Sequence, residues 1–254
     1  MTQSTMSKRF CALGLMAKAP LVGEVKTRLV PPLTAPEAAA LNVCFLRDMA
    51  ANIQTVGETE AASGLVVYTP GGSESAFDGV LPEGFELLVQ RGPSLGDRLY
   101  NATDDLLTHG YGAVCLINSD SPTLPQSILI RAIELLALDG DRVVLGAAED
   151  GGYYLIGLKH AHRHLFDGIA WSTSEVLTDT RQRATEIDLP VEMLPPWYDV
   201  DDGDTLNRLC EELFFPPSSN GAYPAPHTRA FLNSIIKTEG RQRICPKLSG
   251  RMPT

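Results

Sequence analysis

Three cations lie close together near the start of the chain. The apolar run at 10–16 predicts a buried strand, and Lys18, Lys26 and Arg28 follow it. Ligands of open α/β sheets bind outside the carboxyl ends of the strands. Lys offers a point charge and Arg a bidentate fork for phosphate oxygens. These side chains therefore predict a site for a polyphosphate.

A carboxylate follows a second apolar run. The predicted strand at 113–117 leads directly to Asp120, and Pro122 and Pro125 constrain the turn after it. A divalent cation there could bridge the carboxylate and a diphosphate, and hard oxygen ligands suit Mg²⁺ or Mn²⁺. Asp120 could equally stabilise an Asx turn. This motif alone leaves both interpretations open.

Two more segments combine carboxylates with turn residues. Asp150 precedes a glycine pair, which permits close approach of a ligand but is also typical of a hairpin. Four carboxylates stand within six residues at 199–204, where they repel one another unless a cation is near or a helix begins. Asp199 and Asp201 alternate on one extended face, so both could point at a metal.

Weaker signals come from two helix starts and from the histidines and cysteines. Gly96 and Asp97 open a predicted helix, where phosphate or ribose could bind, although an ordinary capped surface loop explains them as well. Trp171 is either a pocket wall or a packing anchor. The close histidines His160, His162 and His164 are expected on a solvated face. The scattered cysteines show no metal or pairing pattern, which fits a reducing compartment.

Strands and helices alternate along the chain, which predicts a mainly parallel sheet covered on both faces. Thr34, Pro36 and Glu37 have the spacing of a capping box that starts the first helix. Residues 1–215 are expected to form one domain, and 216–254 a linker, a short helix and a basic tail. The predicted strands are 10–16, 64–68, 86–90, 113–117, 142–146, 153–158 and 191–194, and the predicted helices 35–56, 95–109, 125–138, 173–187, 201–214 and 227–237.

The overall composition limits the function classes. The 254 residues are 44% hydrophobic and 20% charged, and no apolar run approaches the ~18 residues of a membrane span. The start of the chain is polar and lacks the apolar core of a signal peptide, so we expect a cytoplasmic protein. The net charge of −10 argues against nucleic acid as a main partner. An acidic protein that binds a nucleotide needs local cations, a divalent metal, or both.

Four motifs together resemble a known family. They are the segments 18–29, 119–122, 149–157 and 198–201, read in that order. The chain resembles the bacterial DUF2064 group of the nucleotide-diphospho-sugar transferase superfamily over roughly residues 10–215. It is more distantly similar to molybdenum-cofactor and phospholactate nucleotidyltransferases. The resemblance implies an α/β, GT-A-like fold: a three-layer α/β/α sandwich with a mainly parallel mixed sheet.

The resemblance also implies roles for single residues. Lys18, Lys26 and Arg28 match the positions that hold phosphates, while Asp120 and Asp201 match the metal ligands. Asn118 stands where many glycosyltransferases have the first acid of a DxD motif. This departure weakens the hypothesis of glycosyl transfer relative to that of nucleotidyl transfer.

We therefore expect a transferase that requires Mg²⁺ or Mn²⁺ and uses a nucleotide-activated small-molecule donor. Glycosyl transfer is the leading hypothesis; nucleotidyl transfer with release of pyrophosphate and non-catalytic nucleotide binding are the alternatives. Lys26 and Arg28 would act on the leaving phosphates, and Asp150 would orient or deprotonate the acceptor. Asp199 would support the metal, and Gly151, Gly152, Tyr153 and Trp171 would bind a small-molecule acceptor. A homodimer is compatible with the sequence, which determines neither the base, the sugar nor the acceptor.

Overall fold

The computed structural model describes residues 11–215 and 221–246. Within them, seven strands form one sheet in the order β3-β2-β1-β4-β6-β5-β7. Each predicted strand is present, with ends that differ by a few residues. The strands are β1 (Cys11–Lys18), β2 (Ala62–Thr69), β3 (Glu86–Val89), β4 (Ala113–Asn118), β5 (Val143–Ala148), β6 (Tyr153–Leu158) and β7 (Val191–Trp197).

The sheet is mainly parallel. β6 is the exception, because it pairs antiparallel with both β4 and β5. A short hairpin therefore joins β5 to β6, whereas helical crossovers are needed between parallel strands. β7 lies at the edge and pairs with β5 along one side only. An edge strand tolerates proline, which is why β7 continues through Pro195 and Pro196 beyond its predicted end at 194.

Helices cover both faces of the sheet. In β1, Leu13 and Leu15 pack in a core cluster that includes side chains of α1 and α3, whereas Ala12 packs in a second cluster with side chains of α2. This alternation is the period of a strand buried on both faces. The predicted three-layer fold is thus confirmed. The helices are α1 (Ala35–Thr59), α2 (Leu95–Thr108), α3 (Gln126–Ala137), α4 (Val176–Glu186), α5 (Gly203–Phe214) and α6 (Pro226–Glu239).

Local signals define several helix starts. The Thr34 side chain accepts from the Glu37 amide while the Glu37 carboxylate accepts from the Thr34 amide, so the predicted capping box is confirmed. Ser94 and Asp97 form a second capping box at α2. α5 begins at Gly203, because Asp202 is its N-cap and accepts from the Thr205 amide.

The last helix packs back onto the sheet domain. α6 contacts α1 and α5, and the buried carboxylate of Asp48 on α1 accepts from the amides of His227 and Thr228 at 3.0 and 2.7 Å. The boundary predicted at 215/216 stays a prediction, since residues 216–220 lie outside the described ranges.

A disulfide joins Cys210 on α5 to Cys245 beyond α6, across 35 positions of sequence. The expectation that the cysteines are unpaired is therefore wrong for these two. The return of α6 onto α5 brings them together, and no local spacing could have shown it. The cysteines thus give no support to the reducing compartment that we had inferred.

No helix of the described residues is long and apolar enough to cross a membrane.

Candidate active site

Two aspartates from distant parts of the chain meet at the carboxyl ends of the strands. Asp120 follows β4, and Asp201 follows β7. The Val200 amide donates to the Asp120 carbonyl at 2.9 Å, which joins the two segments through the backbone. Their side chains then contact one cation, Lys26, so the structure brings together the three residues that the sequence analysis treated as parts of one site.

Lys26 lies between the two aspartates. Its Nζ is 2.6 Å from Asp120 Oδ1 and 3.0 Å from Asp201 Oδ1, and it donates to the Val200 carbonyl at 2.8 Å. The side chain is only 4% exposed. Burial opposes the charge, but the two carboxylates outweigh it and raise the pKa of Lys26. The residue is therefore a fixed cation whose three donors all have protein acceptors.

The three predicted phosphate-binding cations line one cavity of about 470 Å³, together with Asp120 and Asp201. Lys18 ends β1 instead of lying in the loop, and its Nζ donates to the Glu24 carbonyl at 3.0 Å. Arg28, which lines the same cavity, is exposed. Cations and carboxylates thus line this space together, and we call it the charged cavity.

The start of α2 contributes a different residue from those predicted. Arg98 lines the charged cavity, whereas neither Gly96 nor Asp97 is part of its wall. The Asp97 carboxylate belongs to the capping box and lies 2.5 Å from Arg163. A Cβ at Gly96 would lie 2.9 Å from Trp171 Nε1, so this glycine permits close packing. Their predicted contact with phosphate or ribose thus finds no support in this geometry.

Asp199 is held by hydrogen bonds beside the aspartate pair. Its Oδ1 accepts from Asn118 Nδ2 at 2.6 Å and from Ser121 Oγ at 2.7 Å. Burial raises the pKa of Asp199 to about 6; the two hydrogen bonds oppose this shift, and the charges of Asp120 and Asp201 add to it. Asn118 occupies the position of the first acid of a DxD motif, and its side-chain amide orients the Asp199 carboxylate.

The chemistry of these residues fits a hard divalent cation. Asp120 and Asp201 supply carboxylate oxygens, already share one cation, and keep 33% and 44% of their side chains exposed at the charged cavity. Mg²⁺ and Mn²⁺ prefer such ligands together with phosphate oxygens. Asp199 is less suited to direct ligation, because it is not among the residues that line the charged cavity.

A second cavity of about 490 Å³ adjoins the first, and the two share Met16, Arg28, Leu95 and Asp201. Asp150, Gly152, Tyr153 and Trp171 line it, and their binding of an acceptor stays a prediction. We call it the aromatic cavity, because the rings of Tyr153 and Trp171 meet edge to face with centroids 6.4 Å apart.

The hairpin between β5 and β6 shapes the aromatic cavity. Asp150 is exposed there, and its Oδ1 accepts from the Gly152 amide at 2.9 Å. Gly151 has φ +92°, and a Cβ on it would lie 2.2 Å from the Ser174 carbonyl oxygen. Its own carbonyl accepts from the Leu177 amide at 3.0 Å. Gly151 thus holds the segment after Trp171 in place, and it is not among the residues that line the cavity.

The structure also brings together side chains that the sequence analysis did not single out as parts of a site. Arg98, Thr69 and Gln90 line the charged cavity. At the other end of the strands, before β5 and after β6, Asp141 contacts both His160 and His162. The spacing of the two histidines was visible in the sequence, but their proximity to Asp141 depends on the antiparallel course of β6.

Comparison with known proteins agrees with this architecture. Residues 52–173 match DUF2064, a family described as uncharacterized and conserved in bacteria, which confirms the predicted resemblance over this range. The match includes Asp120 and the hairpin, whereas the three cations and Asp201 lie outside it. No curated protein sequence gives a significant match.

Solved structures share the fold. A candidate nucleotide-diphospho-sugar transferase from Desulfovibrio desulfuricans G20 is 29% identical, with a TM-score of 0.76, covering 89% of this chain and 95% of that one. A cytidylyltransferase from Leptospira borgpetersenii is 13% identical, with a TM-score of 0.51, covering 95% and 99%. The chain thus has the fold of nucleotide-diphospho-sugar transferases, and the cytidylyltransferase likeness concerns the fold alone.

Proposed function

We propose that this protein is a transferase that uses a nucleotide-activated donor, and that it transfers a sugar from a nucleotide diphosphate to an acceptor hydroxyl. The observation that carries this proposal is the convergence of Lys18, Arg28 and Arg98 with Asp120 and Asp201 on one cavity. The likeness to the Desulfovibrio protein supports the same class of donor.

The charged cavity would bind the donor. Lys18 and Arg98 would contact its phosphates on one wall. Arg28 lines both cavities, so it would neutralise charge where the bond to the diphosphate breaks. Preorganised charges that act on a leaving group are worth about 3 kcal/mol each in the barrier.

Lys26 would act differently from the other cations. Its donors are engaged by Asp120, Asp201 and Val200, so it would hold the two carboxylates together instead of binding phosphate first. Mg²⁺ or Mn²⁺, when bound, would be held by Asp120 and Asp201 and would neutralise charge on the diphosphate.

The aromatic cavity would bind the acceptor. Asp150 lies on its wall, with one carboxylate oxygen fixed by the Gly152 amide. The other oxygen would accept the proton of the acceptor hydroxyl, which is the task of a general base.

Nucleotidyl transfer is the second candidate, and one observation favours it. Asn118 replaces the first acid expected of many glycosyltransferases and is bonded to Asp199. In that reaction a nucleoside triphosphate would be attacked at its α-phosphorus, and pyrophosphate would leave.

A donor panel distinguishes these functions. Thermal shift with UDP-, GDP- and CDP-sugars and with the four nucleoside triphosphates, with and without MnCl₂, identifies the donor, because a ligand well above its Kd stabilises the folded state. Chromatography of the products follows. Release of nucleoside diphosphate from a sugar donor supports glycosyl transfer. Release of pyrophosphate supports the second candidate, and binding without turnover contradicts both.

A further inference from the structure

The two cavities differ in the charges that face them. Among the described residues that line the aromatic cavity, Arg28 at the shared boundary is the one cation, and Asp150 contributes a negative charge. An acceptor that carries phosphate would meet Asp150 without a counter-charge in the interior of the cavity. A site disfavours a ligand strongly when the charge of the ligand has the same sign as an unpaired charge of the site.

Apolar surface exceeds polar surface on the wall of the aromatic cavity, although polar side chains line it as well. Apolar surface removed from water contributes roughly 25 cal/mol per Å², so this lining favours a ligand with an apolar body. The volume of about 490 Å³ suits a small molecule, for which sites typically span ~300–1,000 Å³. The aliphatic lining includes Met16, Leu95, Leu99, Leu116, Ile117 and Val176.

The aromatic wall is held in a fixed position. Trp171 packs edge to face on Tyr153, and the absence of a side chain at Gly96 lets the indole approach α2. A rigid indole offers apolar contact area with little loss of conformational freedom on binding.

We propose that the acceptor is an uncharged alcohol whose hydroxyl is carried on an alkyl or aryl skeleton; this rests on the glycosyl transfer proposed above. The skeleton lies against Trp171 and the aliphatic lining. The hydroxyl oxygen forms a bond to the anomeric carbon while the bond from that carbon to the diphosphate breaks. The electron pair of the broken bond leaves with the nucleoside diphosphate, and the hydroxyl proton passes to Asp150.

Binding without donor tests this class directly. The chain has two tryptophans, so Trp197→Phe leaves Trp171 as the sole tryptophan, which can be excited selectively at wavelengths where tyrosine does not absorb. In this background, 4-methoxybenzyl alcohol and 1-octanol are titrated against glycerol 3-phosphate and 3-phosphoglycerate. We expect saturable changes with the alcohols at concentrations at least tenfold below any response to the phosphorylated compounds. Equal responses, or none to the alcohols, overturn the proposal.

A matched pair of leucine variants sharpens the test. Leu95 is 44% exposed at the cavity, and Leu138 is 50% exposed at the end of α3. Leu95→Arg places a cation beside the ligand, so it should weaken alcohol binding and admit the phosphorylated compounds, whereas Leu138→Arg should change neither. The reverse pattern contradicts the assignment. Because no donor is present, the binding test is independent of turnover: alcohol binding without sugar transfer in the donor assay refutes the proposed function and shows only that the aromatic cavity binds uncharged alcohols.

An independent cluster lies at the amino ends of the parallel strands, at the end of the sheet opposite to the two cavities. Asp141 precedes β5 and His160 and His162 follow β6, so the antiparallel pairing brings the two loops together. Asp141 Oδ1 is 3.1 Å from His160 Nδ1, and its Oδ2 is 2.7 Å from His162 Nε2. One ligand atom from each of the three residues lies within 4.8 Å of the others.

We infer that this cluster binds a divalent transition metal, with zinc as the best match. Two imidazoles and a carboxylate are common zinc ligands, with bonds of ~2.0–2.2 Å that place neighbouring ligands ~3.3 Å apart. The observed separations are a few tenths of an ångström shorter, so small side-chain shifts admit the ion. The nearby cation Lys159 is engaged by the carbonyls of Leu138 and Gly140, at 2.8 Å each.

Calorimetry with ZnCl₂ on chelator-treated protein tests the zinc site. We expect Asp141→Asn and His162→Asn each to lose one equivalent of bound zinc. His164→Asn is the matched control, because His164 contacts Glu186 outside the cluster. Asp120→Asn should still bind this equivalent of zinc, which would show that the zinc site is distinct from the charged cavity. Unchanged stoichiometry in Asp141→Asn, or no binding by the parent protein, shows that the cluster is an ordinary ion pair.

Discussion

The two adjoining cavities are built on opposite principles. In the charged cavity, cations and carboxylates are brought together from four distant segments, and Lys26 contacts both aspartates directly. In the aromatic cavity, one hairpin and one loop supply a large part of the wall, and packing around Gly151 and Gly96 holds them. The first depends on electrostatics and the second on shape. A substitution should therefore affect one cavity and spare the other.

Asp120→Asn should have the largest effect. It removes one of the two carboxylates that share Lys26, so we expect donor turnover to fall by about 10²–10³-fold, as for other lost electrostatic contacts. Binding of 4-methoxybenzyl alcohol to the aromatic cavity should not change.

Steady-state kinetics and Trp171 fluorescence measure the two quantities in the same preparation. Asp104→Asn, on the surface of α2, is the control. An equal loss of alcohol binding in Asp120→Asn would show that the cavities are not separable.

Lys26→Met should reduce stability and increase the response to metal. Removing the buried ammonium leaves Asp120 and Asp201 without their shared cation, at a cost on the order of 2 kcal/mol, below that of a fully buried pair because both carboxylates reach solvent. A divalent ion should partly restore the balance. We therefore expect MnCl₂ to raise the Tm of Lys26→Met more than that of the parent.

Lys237→Met on the exposed surface of α6 controls for loss of a lysine. If MnCl₂ raises the Tm of Lys26→Met and the parent equally, Lys26 does not neutralise the aspartate pair.

Gly151→Ala should damage the aromatic cavity selectively. Its positive φ and the 2.2 Å approach of a Cβ to Ser174 require the backbone to shift. We expect at least tenfold weaker alcohol binding, with donor binding measured by thermal shift unchanged.

Gly84→Ala is the matched control, because Gly84 also has a positive φ, +86°, but a Cβ there would meet nothing within 4 Å, and Gly84 lines neither cavity. Similar losses in both variants would mean that the hairpin backbone does not set the shape of the cavity.

The smallest expected effect concerns stability at low pH, outside both cavities. The hydrogen bonds from Arg243 lower the pKa of Glu37 to about 2, against the opposing effect of burial. This contribution is present above the unfolded pKa of about 4.5 and is lost as pH falls towards 2. Urea unfolding should show that Glu37→Gln removes roughly 1 kcal/mol of the difference in stability between pH 6 and pH 3, after allowance for screening. Glu134→Gln, in an exposed pair with Arg131, should leave that difference unchanged.

The sequence predicted what local patterns can encode. Thr34 and Glu37 define the start of α1, and β6 was placed at its observed bounds, because capping and strand periodicity are properties of neighbouring residues. Asp120 and Asp201 were grouped through resemblance to a family.

The sequence did not predict contacts between elements that are distant along the chain. The pairing of Lys26 with both aspartates, the Cys210–Cys245 disulfide and the entry of Arg98 into the charged cavity depend on how elements pack. Gly96 illustrates the limit: its position at a helix start suggested phosphate, but its neighbour in space is Trp171.

The reversed direction of β6 has a consequence for how such proteins can diversify. Because β6 runs against its neighbours, a short turn delivers Asp150 to the same rim that the parallel strands reach through helical crossovers. The segment that carries Lys26 lies outside this turn, whereas the Glu149 amide donates to the Trp197 carbonyl at 3.1 Å, close to Asp201. Under the proposed function, changes at 150–152 that keep this hydrogen bond would alter the acceptor preference and leave the donor site in place.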